Sequence, residues 1–319
     1  MISLLILAFN EEERIRQVIQ EYMELFDEII IVNDGSKDTT QEIIESTIDQ
    51  YKKKKIKLVN NKNNLGAGKS FEAGVKEFLK SKSDFLIKID GDNQFLIKDV
   101  KKIIKISNDL EVDYVKGDRF WEHGVKGSIP MIRYIGNAFA SLLIKLSTGN
   151  WKINDPLNGL MAFSRRALKN LKIPKLFKRY GYPFYLCVYI SKLNLLNDLK
   201  IIQIKNTISY DNQKSNLKPL SMFFKLIIFT SISYFSKIKI KFKNSTLQMS
   251  ALLDIVFLFF YSLFLYSFVT FIRVRYFVFR GDESNWFVVM IIFLFMSVFA
   301  FTSSQRAENQ LHLRKFEDI

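Results

Sequence analysis

Lys88-Ile89-Asp90-Gly91-Asp92-Asn93-Gln94 places two carboxylates and an amide oxygen directly after an apolar, β-branched run at 84–89. Acids two residues apart in an extended turn can approach one ion together. Hard oxygen donors of this kind suit Mg²⁺ or Mn²⁺, with coordination positions left for a diphosphate. Gly91 lets backbone come close to a ligand. The meaning of the turn depends on the strand before it and on what stands at the ends of the neighbouring strands.

Outward from this turn, the amino-terminal half alternates two periodicities. Residues 2–8, 28–33, 56–59, 84–89 and 112–116 have strand length and are mostly apolar on both faces, as central parallel strands are. Between them, 11–26, 36–50, 68–81 and 97–108 carry apolar residues at helical spacing. The alternation predicts βαβα units, an α/β fold around a mostly parallel sheet. Ligands of such sheets bind beyond the carboxyl ends of the strands. Those ends are Phe9-Asn10-Glu11, Asp34-Gly35-Ser36, the 60–68 stretch and the turn at Asp90. The first supplies an aromatic to face a base and an acid to hold ribose hydroxyls. In the second, Asp34 can accept from a base imino N–H, and Ser36 is expected to cap the following helix. The amino-terminal run 1–7 is apolar without a basic lead, and so reads as a buried strand and not a signal peptide.

Gly66-Ala67-Gly68-Lys69-Ser70 invites a phosphate-loop reading. That motif needs a glycine five residues before Gly68, where this chain has Asn63, and the reading is set aside.

With 319 residues, the chain has room for one catalytic domain and an appendage. One cysteine, Cys187, excludes an intramolecular disulfide, and two distant histidines, His123 and His312, argue against a histidine-based zinc site. The 47 Lys and Arg against 32 Asp and Glu give a net charge of +15. Such a surface favours anionic partners. No nucleic-acid-binding motif accompanies the charge, so an anionic lipid or a phosphorylated substrate is expected instead of nucleic acid. Oligomeric state leaves no mark on the sequence.

From residue 221 the character changes. An apolar run at 222–235 is followed by Lys237, Lys239, Lys241 and Lys243. Beside two long hydrophobic segments, this alternation reads as a basic stretch on anionic headgroups, in preference to an exposed strand. Residues 251–272 and about 286–304 have the length and apolarity of membrane spans. Asp254, near the start of the first, is expected to reach the interface. The expected organisation is a catalytic domain at 1–220, an interfacial segment at 221–246 and a transmembrane hairpin at 247–319. The lysine-rich amino-terminal side would face the cytoplasm by the positive-inside rule, with Arg273, Arg275 and Arg280 in the hairpin loop opposing.

Together these elements resemble family 2 glycosyltransferases with the GT-A fold. Within that family they are similar to the polyprenyl-phosphate glycosyltransferases of the dolichyl-phosphate mannose synthase type, over about residues 2–215. The resemblance implies an inverting transfer of a sugar from a UDP- or GDP-sugar to a membrane polyprenyl phosphate, with Mg²⁺ or Mn²⁺ as cofactor. It implies that Ala8, Phe9, Glu11, Asp34, Gly66, Lys69 and Asp90 hold the nucleotide-sugar and that Asp90, Asp92 and Gln94 hold the metal. Arg119, Arg133, Asn137 and Lys214 match acceptor-phosphate positions, and Asp155 and Asp92 match catalytic ones. The 131–146 stretch is expected to lie along the membrane. Asn137 stands where relatives usually have serine, and Tyr210–Ser215 matches the usual late basic motif only loosely. A hydroxyl acceptor on a glycan or another lipid, and a non-catalytic membrane scaffold, are the alternatives.

Overall fold

The computed structural model describes residues 1–52, 54–109, 111–120, 125–126, 131–197, 199–209, 219–278, 283–313 and 316–318. Its centre is an eight-stranded sheet in the order β10-β8-β5-β7-β4-β1-β2-β3. β1 (Ile2–Ala8), β2 (Glu28–Asn33), β3 (Ile56–Asn60), β4 (Phe85–Asp90) and β5 (Tyr114–Asp118) fall within a residue or two of the expected runs. β1 pairs in parallel with both β2 and β4, so the ends of all three open on one edge. A short strand, β6 (Val125–Lys126), pairs with β9 (Ile208–Ser209) apart from the main sheet.

β7 (Met161–Ser164) lies antiparallel between β4 and β5, and β8 (Ile201–Lys205) runs parallel to β5. Four residues are too few to display a period, which is why β7 escapes a reading by pattern. β10 (Phe316–Asp318) completes the edge beside β8.

Alternate strand residues feed two cores. Leu5, Leu7, Ile30 and Val32 pack with Phe71, Phe78 and Phe163 on one face. Leu4, Ile6, Ile29 and Ile31 pack with Val18, Val100 and Ile103 on the other. Each fully buried side chain of this size contributes roughly 1.5–3 kcal/mol. The helices covering these faces are α1 (Ile15–Tyr22), α2 (Thr40–Gln50), α3 (Ala67–Lys80) and α4 (Ile97–Asp109).

Two helices begin later than expected. α1 starts at Ile15 because Asn10 takes a left-handed conformation (φ 56°) and the chain turns before it coils. α2 starts at Thr40, and Ser36 does not cap it. The Ser36 hydroxyl instead bonds Asn33 Oδ1 at 2.6 Å, while Asp38 accepts from the Thr40 backbone N–H at 3.1 Å.

α5 (Met131–Thr148), a short turn α6 (Arg165–Leu168) and α7 (Tyr182–Leu196) complete the part of the chain built around the sheet. α8 (Pro219–Lys241) packs against α5 through Phe223 on Phe139, and against α7 and the turn before it through Phe229 on Phe184 and Phe177. Phe224, Ile228, Ile232 and Phe235, spaced three or four apart, are each more than half exposed. α9 (Gln248–Arg273) and α10 (Glu283–Leu313) form a hairpin that contains both expected spans. By length and composition α8, α9 and α10 are each long and apolar enough to cross a membrane.

The lysine ladder is corrected by the helix. Lys237 and Lys241, four apart on α8, share one helical face and are fully buried, whereas Lys239 and Lys243 are exposed. Asp254 does not reach an interface either. It is fully buried, 2.5 Å from Lys241 Nζ and 2.9 Å from the Tyr234 hydroxyl.

Candidate active site

The ends of β1, β2 and β4, with the start of α3, enclose a cavity of about 640 Å³. Ala8, Phe9, Glu11, Asp34, Gly66, Asp90 and Asp92, all named by sequence, line it together. Two strand-end loops are laced to each other. Asn10 Oδ1 accepts from the Lys37 backbone N–H at 2.9 Å, the Glu11 N–H donates to Thr40 Oγ1 at 2.8 Å, and Glu12 accepts from both Thr39 groups. Phe9 is thereby held at the rim, 41% exposed and ready to face a flat ring.

Asp34 is almost wholly buried and organises the cavity floor. Its carboxylate accepts from Asn61 Nδ2 (2.9 Å) and from the backbone N–H groups of Leu65 (2.9 Å) and Gly66 (2.8 Å). The 61–66 segment is thus pinned to the end of β2. Gly66 has φ +95°, and a Cβ there would lie 2.3 Å from Arg179 Cγ, so only glycine allows the approach. That approach carries Arg179 and Tyr180 into the cavity wall, with Arg179 Nη1 2.6 Å from Asn64 Oδ1. Neither residue was named by sequence. The only signal was a basic-aromatic-glycine run, Lys178-Arg179-Tyr180-Gly181.

Lys69 turns away from the cavity. Its Nζ lies 2.6 Å from Glu72 and 3.1 Å from the Ile173 carbonyl oxygen, tying α3 to the loop before α7. The Gly68 and Lys69 backbone N–H groups donate to the Arg179 and Lys178 carbonyls. The first turn of α3 therefore cradles protein, not phosphate, in agreement with setting the phosphate-loop reading aside.

At the end of β4, the Gly91 N–H donates to Leu7 O (2.8 Å) and the Gln94 N–H to Asp92 Oδ1 (3.2 Å), with Asn93 left-handed at φ 58°. Buried Lys88, to which the sequence motif assigns no role, holds Asp90 Oδ2 at 2.7 Å. Burial works against the Lys88 ammonium, but Asp90 and Tyr182 together outweigh it and the Lys88 pKa is raised. Burial and the adjacent Asp90 charge push Asp92 up to about 6. Burial and then Asp92, with smaller contributions from Asp90 and Asp38 opposed by Arg14, push Glu11 up to about 7.

Among the described residues, no three His, Cys, Asp or Glu side chains converge as a ready-made metal cage. The donor chemistry nevertheless fits a hard dication. Asp90 and Asp92 are crowded carboxylates whose mutual repulsion raises a proton affinity, and a cation would relieve it.

A second group stands at the end of β5. Arg119 grips fully buried Asp155 through Nε (2.6 Å), Nη2 (2.8 Å) and its backbone N–H (3.1 Å). Lys116 Nζ donates to Asn158 O (2.6 Å), and Asn158 Nδ2 to Asn206 Oδ1 (2.8 Å), fixing the 154–159 loop from beneath. That loop touches the first site, since a Cβ on Gly159 would lie 2.7 Å from Asp90 Oδ2 and 3.1 Å from Lys88 Nζ. A cavity of about 360 Å³ is lined by Phe120, Tyr134, Asn137, Lys145, Trp151 and Asn154, and the Arg119 guanidinium lies over the Phe120 ring of its wall at 5.5 Å. Asn137 Nδ2 reaches Asn154 O at 3.5 Å, and its Oδ1 is buried with no hydrogen-bond partner among the described residues. The Arg133 side chain and Lys214 lie outside the described residues.

Residues 3–172 match the family described as Glycosyl transferase family 2. A UDP-N-acetylglucosamine–dolichyl-phosphate N-acetylglucosaminyltransferase of Methanococcus voltae is 31% identical over 209 residues, covering 62% of this chain and 82% of that one. An uncharacterized protein of Methanocaldococcus jannaschii is 39% identical over 143 residues, 44% of this chain and 59% of that one, so the match spans about three fifths of the latter's length. The crystal structure of glucosyl-3-phosphoglycerate synthase from Mycobacterium tuberculosis, in complex with Mn²⁺, UDP and glucosyl-3-phosphoglycerate, superposes with a TM-score of 0.52 at 20% identity. It covers 74% of this chain and 79% of that one. The fold is GT-A.

Proposed function

The chain belongs to glycosyl transferase family 2, and from that premise we propose that it moves a sugar from a nucleotide-sugar to a polyprenyl phosphate at a membrane surface. The observation that carries this reading is the contact between the two sites. Gly159, in the loop that bears Asp155, backs onto Asp90 and Lys88 of the metal-binding turn. A donor in the large cavity and a phosphate near Arg119 would therefore meet at the ends of β4 and β5. The activity named for the Methanococcus voltae relative supports the lipid-phosphate acceptor.

In this reading Phe9, Glu11 and Asp34 hold the nucleoside, and Asp90, Asp92 and Gln94 hold Mg²⁺ or Mn²⁺. The ion, when bound, offsets the charge left on the departing diphosphate. Lys88 pairs with Asp90, and Arg179 and Lys37 border the cavity as further cations. An acceptor phosphate oxygen attacks the anomeric carbon from the face opposite the diphosphate, the bond to the diphosphate breaks, and configuration inverts. The attacking group is already anionic and needs no base. Asp155, buried and gripped by Arg119 at three points, accordingly serves to orient that guanidinium. A hydroxyl acceptor would need a freer carboxylate there.

α8 fits a helix lying in the interface, because one face packs along α5 and α7 while Phe224, Ile228, Ile232 and Phe235 face outward. We place the catalytic domain on the cytoplasmic side, following the lysine bias. The test is incubation of membranes with labelled UDP- and GDP-sugars, with and without polyprenyl phosphate, for the native chain and Asp92→Asn. Label should enter the lipid phase only with the native chain and added acceptor. Equal label from both chains would overturn the reading.

A further inference from the structure

α10 has 31 residues. At 1.5 Å per residue it is about 46 Å long, against a bilayer core of about 30 Å. The excess falls at its polar end, Ser303–Gln310, which would emerge from a bilayer crossed by the apolar part and which packs against the loop that leads to Asp155. Gln305 Oε1 accepts from Trp151 Nε1 at 3.1 Å. One turn on, Glu308 sits under Gly149, where φ is +71° and an added Cβ would fall 1.8 Å from Glu308 Oε2. Only glycine permits that seat.

Glu308 is itself fixed. It is fully buried, with Lys237 Nζ 3.0 Å away and Lys241 also in contact. Lys241 in turn binds Asp254 (2.5 Å), Ser250 (2.9 Å) and Ser304 (3.0 Å). Two lysines and two acids cancel, so the cluster calls for no outside ion. Buried ion pairs add little net stability against apolar replacements, but they fix geometry where the partners are fully bonded. This cluster locks the carboxyl end of α10 to α8 and to the start of α9.

We propose that Gln305 and Glu308 are positioning residues for the acceptor end of the reaction, a strut from the membrane hairpin to the 149–155 loop. The inference rests on the reading of Arg119 and Asp155 as the acceptor side. Within the catalytic domain the loop is held by Ser141 at Ile153, by Lys145 at Asn154 and by Arg119 at Asp155. Trp151 is held from α10. It also lines the cavity beside Arg119, so a shift of its ring changes both the wall of that cavity and the register of the residues leading to Asp155.

The test uses the full chain in lipid nanodiscs, with Gln305→Leu, Trp151→Phe and the pair combined. Each single change removes one hydrogen bond and should raise the acceptor KM about three- to tenfold, with donor KM unchanged and the melting midpoint lowered by no more than about 2–4 °C. The combined variant should be no worse than Trp151→Phe alone, since that change already removes the bond to Gln305. Unchanged acceptor KM, additive effects, or a parallel loss in both KM values with a melting midpoint lowered further than that would each overturn the strut. Hydrogen exchange at residues 150–155 should rise in both single variants and is read without any acceptor. If the native chain failed to label lipid, the acceptor reading would fall, while the exchange result would still decide the strut by itself.

Discussion

At the scale of single residues, the site is a problem in crowded negative charge. Asp90 is countered by Lys88, but Asp92 and Glu11 hold protons up to about 6 and about 7. Both values are raised above those of the unfolded chain, so the stability linked to these protons is present at low pH and is lost as pH rises through them. A dication reverses the sign above that window, because it binds the ionised carboxylates and has to displace protons below it. The rise in melting midpoint produced by Mn²⁺ should thus be larger at about pH 8 than at about pH 5.5. Thermal scans at the two pH values check it, and an equal shift at both would refute it. Asp92→Asn should cut turnover at least about 100-fold and flatten the Mn²⁺ effect, measured by sugar transfer and by the same scans. Asp34 makes a different argument. Asp34→Asn turns an amide N–H₂ toward groups that already donate, Asn61, Leu65 and Gly66, and should cost about 1–3 kcal/mol while weakening nucleotide binding. Denaturant unfolding and UDP or GDP titration measure the two effects.

At the scale of elements, the packing of α3 against the 177–181 segment decides the shape of the large cavity. A Cβ on Gly68 would lie 2.1 Å from Phe177 O, a backbone atom that cannot swing aside. Gly68→Ala should therefore destabilise the chain by about 1–3 kcal/mol and weaken donor binding, because the displaced segment carries Arg179 and Tyr180. Unfolding curves and donor KM values would register the pair of effects. α8 admits a labelling test in the intact membrane. Cysteines replacing Ile228 and Ile232 should resist an impermeant maleimide, and Lys239→Cys should react from the side that labels the catalytic domain. Reaction of Phe224→Cys and Lys239→Cys from opposite sides of the membrane would make α8 a span. These elements also mark where sequence is readable. β1, β2 and β4 are buried on both faces, and their alternation with helices exposes both the strands and the ligand loops after them. β7 is too short for a period, and the placing of Arg179 beside Gly66 depends on a contact between residues more than a hundred apart, which no local pattern encodes.

At the scale of the molecule, the long apolar helices α9 and α10 were legible from length and apolarity, the two properties that a bilayer imposes on any helix able to cross it. What joins the hairpin to the catalytic domain was not. The ladder Lys237, Lys239, Lys241, Lys243 looks like a row of equals, yet a helix sends alternate members to opposite faces, and two of the four meet Asp254 and Glu308 from other helices. Asp254 lies 13 positions and Glu308 67 positions from Lys241, separations that join three helices through one cluster. If the cluster fastens anchor to domain, its charges should count as pairs. Lys241→Met alone strands two buried carboxylates beside a single remaining lysine, and should cost about 3–5 kcal/mol in detergent-solubilised protein. Adding Asp254→Leu removes the stranded acid, leaves Lys237 with Glu308, and should restore much of that loss. Urea unfolding followed by circular dichroism would measure both. If the double variant were less stable than the single by the full cost of a second lost contact, the four groups would be independent neighbours, and the join between membrane and catalytic domain would have to lie in the apolar packing of α8 on α5 and α7.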